Sequence, residues 1–141
     1  MTAVDPDLPY VDEHAATVAA GADRVWAALE GYVTASLASA NRHPVARVLG
    51  ASQPSGFEVV EAVPGERLRL AGSHRFARYS LVFDLGSRAP ATTVLRATTY
   101  ATFPGLHGRA YRALVIGTGG HALATRSIVR AVRRRAESPQ R

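Results

Sequence analysis

The chain has 141 residues, of which 47% are hydrophobic and 20% charged, and it contains no cysteine. This length fits one domain with its own core, and the lack of cysteine excludes disulfide bonds and thiolate metal sites. No apolar stretch is long enough to span a membrane, and the first ten residues carry acids but no basic residue, unlike a signal peptide. We therefore expect a cytoplasmic protein.

The formal charge of +6 is concentrated at the C-terminal end. All 17 basic residues are arginines, and eight of them lie from Gly105 onward, where Glu137 is the only acid. Such a cluster either complements the C-terminal end of a helix or meets an anionic partner. No aromatic residues interleave with it as a nucleic-acid stacking surface requires. We therefore do not expect nucleic acid as a partner, and an interaction module built on this segment is a lesser alternative.

The first third of the chain predicts a strand followed by helix. Residues 1–10 form an extended lead-in, and residues 11–20 predict a strand. One face of this strand carries His14, Ala16 and Val18. Asp23 then caps a short helix around Trp26, which we place in the core, and a second short helical segment covers residues 34–40.

From residue 45 onward the hydrophobic period changes to two, which is typical of strands. The predicted strands span residues 45–49, 57–63, 66–71, 75–85 and 91–103. In the third of these, Leu68 and Leu70 face inward while Arg67 and Arg69 face solvent. The last presents Leu95, Ala97, Thr99, Ala101 and Phe103 on its inner face. Tight turns between short strands indicate an antiparallel meander.

Residues 106–137 predict a long C-terminal helix that crosses this sheet. Its apolar stripe comprises Tyr111, Leu114, Val115, Thr118, Ala122, Thr125, Ile128, Val129, Val132 and Ala136. Gly117, Gly119 and Gly120 lie in one turn of the helix, where glycine is unfavourable. Three glycines there indicate a kink or the close approach of another group.

Several sequence blocks resemble the START-like superfamily, also described as Bet v 1-like, which includes polyketide cyclases/dehydrases and lipid-transport proteins. They are Ala20-Gly21-Ala22-Asp23-Arg24-Val25-Trp26, where proline is usual at the second position, residues 72–79 and 103–112, and His121 in the long helix. They are similar to blocks in bacterial branches. The resemblance spans residues 11–137 and leaves 138–141 as a flexible tail.

The resemblance implies an α+β helix-grip fold, in which a curved antiparallel sheet wraps around the long C-terminal helix. Two short helices follow the first strand, and a cavity lies between sheet and helix. Small residues on both apposed faces either leave this cavity open or let the helix pack closely. The superfamily includes ligand carriers and enzymes, so the fold does not assign a function.

The candidate chemistry is limited to a few side chains. The five histidines (14, 43, 74, 107 and 121) show no metal-ligand spacing, so we expect neither a metal nor a cofactor. His121 is the best candidate for a hydrogen-bond donor or general base in the cavity; the alternative is a core histidine with one polar partner. Tyr79 and Tyr100 either offer hydroxyls to a ligand or pack in the sheet, and Tyr100 falls on the outer face.

Two basic clusters are candidates for holding an acidic head group, since arginine binds carboxylate and phosphate bidentately. The first is His74, Arg75 and Arg78; the second is His107, Arg109 and Arg112. The alternative is that these side chains pair with acids of the sheet, namely Glu58, Glu61, Glu66 or Asp84.

These observations favour a protein that binds a small hydrophobic or amphipathic molecule, such as a lipid, fatty acid or polyketide-like compound. The predicted ligand-binding residues are His74, Arg75, Tyr79, Thr99, Arg109, Tyr111, Thr118 and His121. The alternative is a cyclase- or dehydratase-type enzyme in which a pocket histidine works with tyrosine or arginine. The sequence leaves monomer and homodimer open.

Overall fold

The computed structural model of the chain describes residues 8–40, 57–74, 77–116 and 119–139. In chain order its elements are β1 (Tyr10–Val18), α1 (Ala22–Ala40), β2 (Glu58–Val63), β3 (Arg67–His74), β4 (Ala77–Ala89), β5 (Thr92–Thr102), α2 (Gly105–Val115) and α3 (Gly120–Glu137). No helix in these ranges is both long and apolar enough to cross a membrane.

The described strands form a five-stranded antiparallel sheet in the order β1-β5-β4-β3-β2. Strands β2 to β5 follow one another as a meander, and the last of them, β5, pairs with the first strand of the chain, β1. This is the predicted antiparallel meander, and together with the helices it forms the helix-grip fold.

The core lies between the inner face of the sheet and helices α1 and α3. The sheet contributes Val18, Leu68, Leu70, Leu81, Phe83, Leu95 and Ala97. Helix α1 contributes Val25, Trp26, Ala28, Leu29 and Val33, and α3 contributes Val129, Val132 and Ala136. The predicted inner face of the last strand is confirmed at Leu95 and Ala97, as is the core position of Trp26.

Polar contacts hold the ends of α3 and β1 together. Glu137 accepts a hydrogen bond from the Ala19 backbone N–H at 2.8 Å, and Arg24 donates to the Ser138 carbonyl at 2.6 Å. The hydroxyl of Thr93, fully buried, donates to the Ala20 carbonyl at 2.8 Å. These bonds fix where α3 crosses the sheet.

The helices differ from the prediction in two places. The two segments predicted after the first strand are one continuous helix, α1, because no residue between them breaks it. The predicted C-terminal helix is divided into α2 and α3, since Gly119 adopts a left-handed conformation with φ of 78° just before α3. The glycine signal was therefore correct about an interruption.

The orientation of Leu114 and the solvent exposure of Arg69 were predicted wrongly. Leu114 is 67% exposed rather than part of the inner stripe, because the helical phase does not continue across the break between α2 and α3. Arg69 faces the outer side of the sheet as predicted but is only 4% exposed, since it lies between Glu61 of β2 and Val82 of β4. The predicted strand 45–49 and the turn after it lie outside the described residues.

Candidate functional site

A cavity of about 190 Å³ lies between β4, β5, α2 and the first turn of α3. Its aromatic lining residues are Phe57, Tyr79, Phe103 and Tyr111. Its aliphatic lining residues are Ala77, Leu81, Ala101 and Ile116. Its polar lining residues are Ser80, Thr99 and His121. A mainly apolar wall with a few polar groups is the usual composition of a small-molecule pocket.

His121, at the start of α3, supplies the principal polar group of this cavity. Its Nε2 lies 3.1 Å from Thr99 Oγ1, 3.4 Å from Thr125 Oγ1 and 3.4 Å from Asp12 Oδ1. The Thr125 hydroxyl donates its hydrogen to the His121 carbonyl at 3.0 Å, so toward Nε2 it can only accept. Asp12 Oδ1 lies within ion-pair distance of Nε2 without a hydrogen bond to it, and its negative charge also favours a hydrogen on that nitrogen. This arrangement favours the tautomer with hydrogen on Nε2, which leaves Nδ1 as the basic nitrogen of the neutral ring.

Asp12 lies between His121 of α3 and a second histidine, His14 of β1. His14 Nε2 lies 3.2 Å from Asp12 Oδ2, and Arg126 Nε donates to His14 Nδ1 at 3.4 Å. Because Nδ1 of His14 accepts, its Nε2 carries the hydrogen and donates to the carboxylate. Asp12 is aligned with Thr99 in the β1–β5 register, which places both side chains near α3. Asp12, His14, His121 and Arg126 thus form a polar chain beside the cavity, called here the Asp12 network.

The two tyrosines of the cavity are held in their neutral form. Burial raises the pKa of Tyr79 to about 12, and the neighbouring Tyr111 adds to the shift. Burial also raises the pKa of Tyr111 above its ordinary value. A phenol with a raised pKa stays protonated at neutral pH, so both hydroxyls retain their hydrogen and neither acts as a base.

The structure brings four of the eight predicted ligand-binding residues to the cavity: Tyr79, Thr99, Tyr111 and His121. Arg109 is exposed and does not line the cavity, because the inward face of α2 carries Tyr111 instead. His74 ends β3, but its side chain lies outside what the structure describes, as do Arg75 and Thr118. Tyr100 lies on the outer face, in edge contact with Tyr10.

Two of the acids named in the alternative of ion pairing meet an arginine outside both basic clusters. Asp84 is paired with Arg67 at 2.7 Å, and Glu61 approaches the same guanidinium at 4.0 Å. Neither cluster contributed that arginine. Arg112 of the second cluster lies 5.9 Å from the ring centre of Phe103, a cavity-lining residue. Arg112, one of the arginines predicted to hold an acidic head group, therefore contacts the cavity wall at Phe103.

Asp12 and the role of His14 were not predicted from the sequence. The available signal was that Asp12 shares one face of the predicted strand with His14 by period two. Its partner His121 is far away along the chain, and the packing of α3 against β1 brings the two together. Among the described residues, no group of three or more metal-ligating side chains is arranged to hold a metal ion.

A second cavity of about 230 Å³ adjoins the first on the side of α1. Its lining residues are Tyr32, Val33, Ser36, Leu37, Phe57, Leu70, Leu81, Phe83 and Ile128. Phe57 and Leu81 line both cavities and therefore separate them. The Phe57 ring packs against Tyr79 with their centres 4.8 Å apart, so a change at this ring alters both spaces.

The fold and the cavity together define a helix-grip protein with an interior site between sheet and helices. Among solved structures, a conserved protein from Geobacillus kaustophilus is similar with a TM-score of 0.57 and 14% identity over 88% of this chain and 93% of that one. The Zhui aromatase/cyclase from Streptomyces sp. R1128 has a TM-score of 0.52 and 14% identity over 92% and 94% of the two chains. The di-domain aromatase/cyclase BexL from the BE-7585A biosynthetic pathway has a TM-score of 0.54 and 15% identity, with 89% of this chain matching 46% of that one.

These likenesses show the fold alone. No family model and no curated protein matches the chain.

Proposed function

We propose that this protein binds a small hydrophobic or amphipathic molecule in the cavity between β4, β5 and α2. The observation that carries the proposal is the composition of the wall: aromatic and aliphatic side chains surround most of the space, and His121 and Thr99 stand together at one place. An apolar ligand body gains free energy by leaving water. The polar pair then selects a ligand with one hydrogen-bonding group.

The size of the cavity limits the ligand. A volume of about 190 Å³ is smaller than the roughly 300–1,000 Å³ of drug-sized pockets, so a compact ring system or short chain fits the first cavity alone. A longer chain requires the second cavity as well. The Phe57 ring is the side chain that such a ligand must displace, since it lies between the two.

The first experiment is native mass spectrometry of the purified protein, followed by extraction and identification of any retained compound. We expect a bound fatty-acid-like or polyketide-like molecule, and thermal shift with the identified compound should raise the Tm of the protein. Ala101→Leu fills the cavity and should abolish this shift. The matched control is Ala15→Leu on the exposed side of β1, which should retain it. A shift that survives Ala101→Leu would place the ligand elsewhere.

A second candidate function is supported by the Asp12 network. His121 lies in the cavity wall, and its Nδ1 is the free basic nitrogen in the tautomer given above. Asp12 Oδ1, 3.4 Å from Nε2, would stabilise the imidazolium formed when His121 takes a proton from carbon next to a carbonyl. In an aldol-type cyclisation the enolate attacks a second carbonyl, and His121 returns this proton to the alkoxide that forms there. In the dehydration that follows, His121 removes a second proton from the same carbon and passes it to the departing hydroxide, which leaves as water.

Two variants separate the candidates. If the site is catalytic, His121→Gln should abolish turnover of a poly-β-keto substrate, and Asp12→Asn should lower kcat with little change in KM. If the site only binds, both variants should change ligand affinity while no product forms with any variant. The Tm of each variant reports whether loss of the Thr99 contact has unfolded the protein.

A further inference from the structure

Helix α2 exposes a line of apolar side chains to solvent. Leu106 is 78% exposed and Leu114 is 67% exposed, and the exposed Ala110 lies between them at helical spacing of four. These three residues, called here the leucine stripe, form one line along the helix. Tyr111 of the same helix lines the cavity. Helix α2 therefore has a half-buried aromatic side chain at the cavity and, further around its surface, an apolar line in solvent.

A second exposed line begins just after the turn between α2 and α3. Leu123 is 67% exposed, and Arg126, Arg130 and Arg134 follow it at offsets of three, seven and eleven residues. All four side chains are exposed and share one side of α3. An exposed leucine is ordinary by itself, but three large leucines on adjacent helices indicate a surface made for contact.

The charge around these leucines has one sign. Residues 105–136 contain seven arginines and no acid. Arg109 is exposed on α2 beside the leucine stripe, and Arg112 lies one turn further along, over the Phe103 ring. The complementary partner is thus anionic and also has an apolar layer that leucine can enter.

We propose that α2 docks on the surface of a lipid bilayer that contains anionic lipids. The leucine stripe and Leu123 enter the boundary between head groups and acyl chains, and Arg109, Arg130 and Arg134 contact lipid phosphates. Interfacial helices bind in this way, through buried apolar area together with attraction of basic residues to anionic lipid. A bilayer accounts for both features, whereas the phosphates of a nucleic acid would leave the leucines without a partner.

This docking surface is distinct from the cavity wall, because neither the leucine stripe nor Leu123 is among the described residues that line the cavity. It gives the cavity a position relative to the bilayer, since Tyr111 and Ile116 line the cavity from the α2 side. A ligand taken from the membrane would meet this helix first.

The test is sedimentation of the full-length protein with vesicles of equal parts phosphatidylglycerol and phosphatidylcholine, and with vesicles of phosphatidylcholine alone. We expect binding to the anionic vesicles that weakens as salt rises from about 0.05 M to about 0.5 M. The double variant Leu106→Ser/Leu114→Ser should weaken this binding by about tenfold or more, because two buried leucines are lost. Arg109→Ala and Arg130→Ala should each weaken it by a smaller factor.

Matched controls are Val59→Ser and Arg88→Ala, which remove an exposed apolar side chain and an exposed arginine far from α2 along the chain. Both should bind vesicles as the unaltered protein does. Ala110→Glu, which adds an acid to the middle of the leucine stripe, is a second variant should the serine pair fail to fold.

Three results would overturn the proposal. The first is vesicle binding that the leucine variants leave unchanged, which would make it purely electrostatic. The second is no vesicle binding at all, with a single-stranded RNA bound instead through the same arginines. The third is a dimer in sedimentation velocity that becomes monomeric in the leucine variants, which would make a second copy of this chain the occupant.

Discussion

The Tyr79 hydroxyl lies in the cavity wall, where burial first and then Tyr111 raise its pKa from 10.0 to about 12. Because the folded-state pKa lies above the unfolded value, folding is favoured below pH 10, and this contribution is lost as the pH rises toward 12. The protein should therefore become less stable over this range. The Tm of the Tyr79→Phe variant, whose ring has no proton to lose, should fall less over this pH range than the Tm of the unaltered protein. The Tm of the variant relative to the unaltered protein should therefore rise with pH. Thermal melts at pH 9 to 12 measure it. A difference that stays constant would show that the hydroxyl is hydrated.

Single residues near the site show what the sequence could and could not predict. Thr99, Tyr79 and His121 were predicted because simple periodicity places them on inner faces. Asp12 was not, since its role depends on the packing of α3 against β1. Gly21 stands where the resembling proteins usually have proline, and the structure gives a physical reason: a Cβ there would lie 2.7 Å from the Pro90 carbonyl oxygen. That close approach joins distant parts of the chain and leaves no local signal.

At the scale of the elements, α2 rests on the end of β5 through a glycine. A Cβ on Gly108 would lie 2.6 Å from the carbonyl carbon of Phe103 and 2.8 Å from its oxygen, and backbone atoms cannot move aside cheaply. Gly108→Ala should therefore push α2 away from the sheet, with a loss of about 1–3 kcal/mol in the free energy of unfolding. Urea unfolding measures the loss.

The matched control for that substitution is Gly86→Ala in β4, where a Cβ would meet no atom within 4 Å. It should leave stability nearly unchanged. Equal effects of the two alanines would mean that α2 adjusts its position without cost. Since α2 carries Tyr111, Gly108→Ala should also weaken ligand binding, whereas Gly86→Ala should not.

The hydrogen bond from Ala19 to Glu137 joins the end of β1 to the end of α3. This bond is the largest cause of the lowered pKa of Glu137, and Arg133 adds to it. A carboxyl whose folded pKa is lowered stabilises the fold above its unfolded value of about 4.5 and loses that effect as the pH falls through the lowered pKa. Glu137→Ala should lower the Tm at pH 7, and the difference should shrink in acid. Glu30→Ala, on the exposed side of α1, should change the Tm little at pH 7.

The elements themselves were predictable to the extent that local patterns determine them. Period two located the strands, and the run of glycines located the interruption between α2 and α3. The orientation of α2 relative to α3 was not predictable, because it depends on how Tyr111 and Gly108 of α2 pack against Phe103. Leu114 was assigned to the core for this reason, although it belongs to the exposed leucine stripe.

At the scale of the whole molecule, the C-terminal arginines divide between two roles. Arg133 pairs with Glu137, and Arg135 lies against Gly31 of α1, so these two serve the fold. Arg130 and Arg134 face solvent. Removing everything after Val132 would also remove the buried Ala136 and the Glu137 contact, so a truncation cannot isolate the effect of charge. Single substitutions of the exposed arginines can.

The molecule should open in two stages, because its two C-terminal helices are attached so differently. Helix α3 buries Val129 and Val132 in the core and is tied to β1 at its end, so its amides should exchange only through global unfolding. Helix α2 is bounded by Gly105 and Gly119, both at positive φ, and leaves its leucines in solvent, so its amides should exchange through a local opening with a lower free energy.

Hydrogen exchange followed by mass spectrometry should therefore show α2 exchanging well before α3 and β4. A ligand in the cavity should slow exchange in α2 most, since Tyr111 of this helix lines the cavity. Equal protection of α2 and α3 without ligand would mean that α2 belongs to the cooperative core. A ligand would then have to enter the cavity by a route other than a local opening of α2.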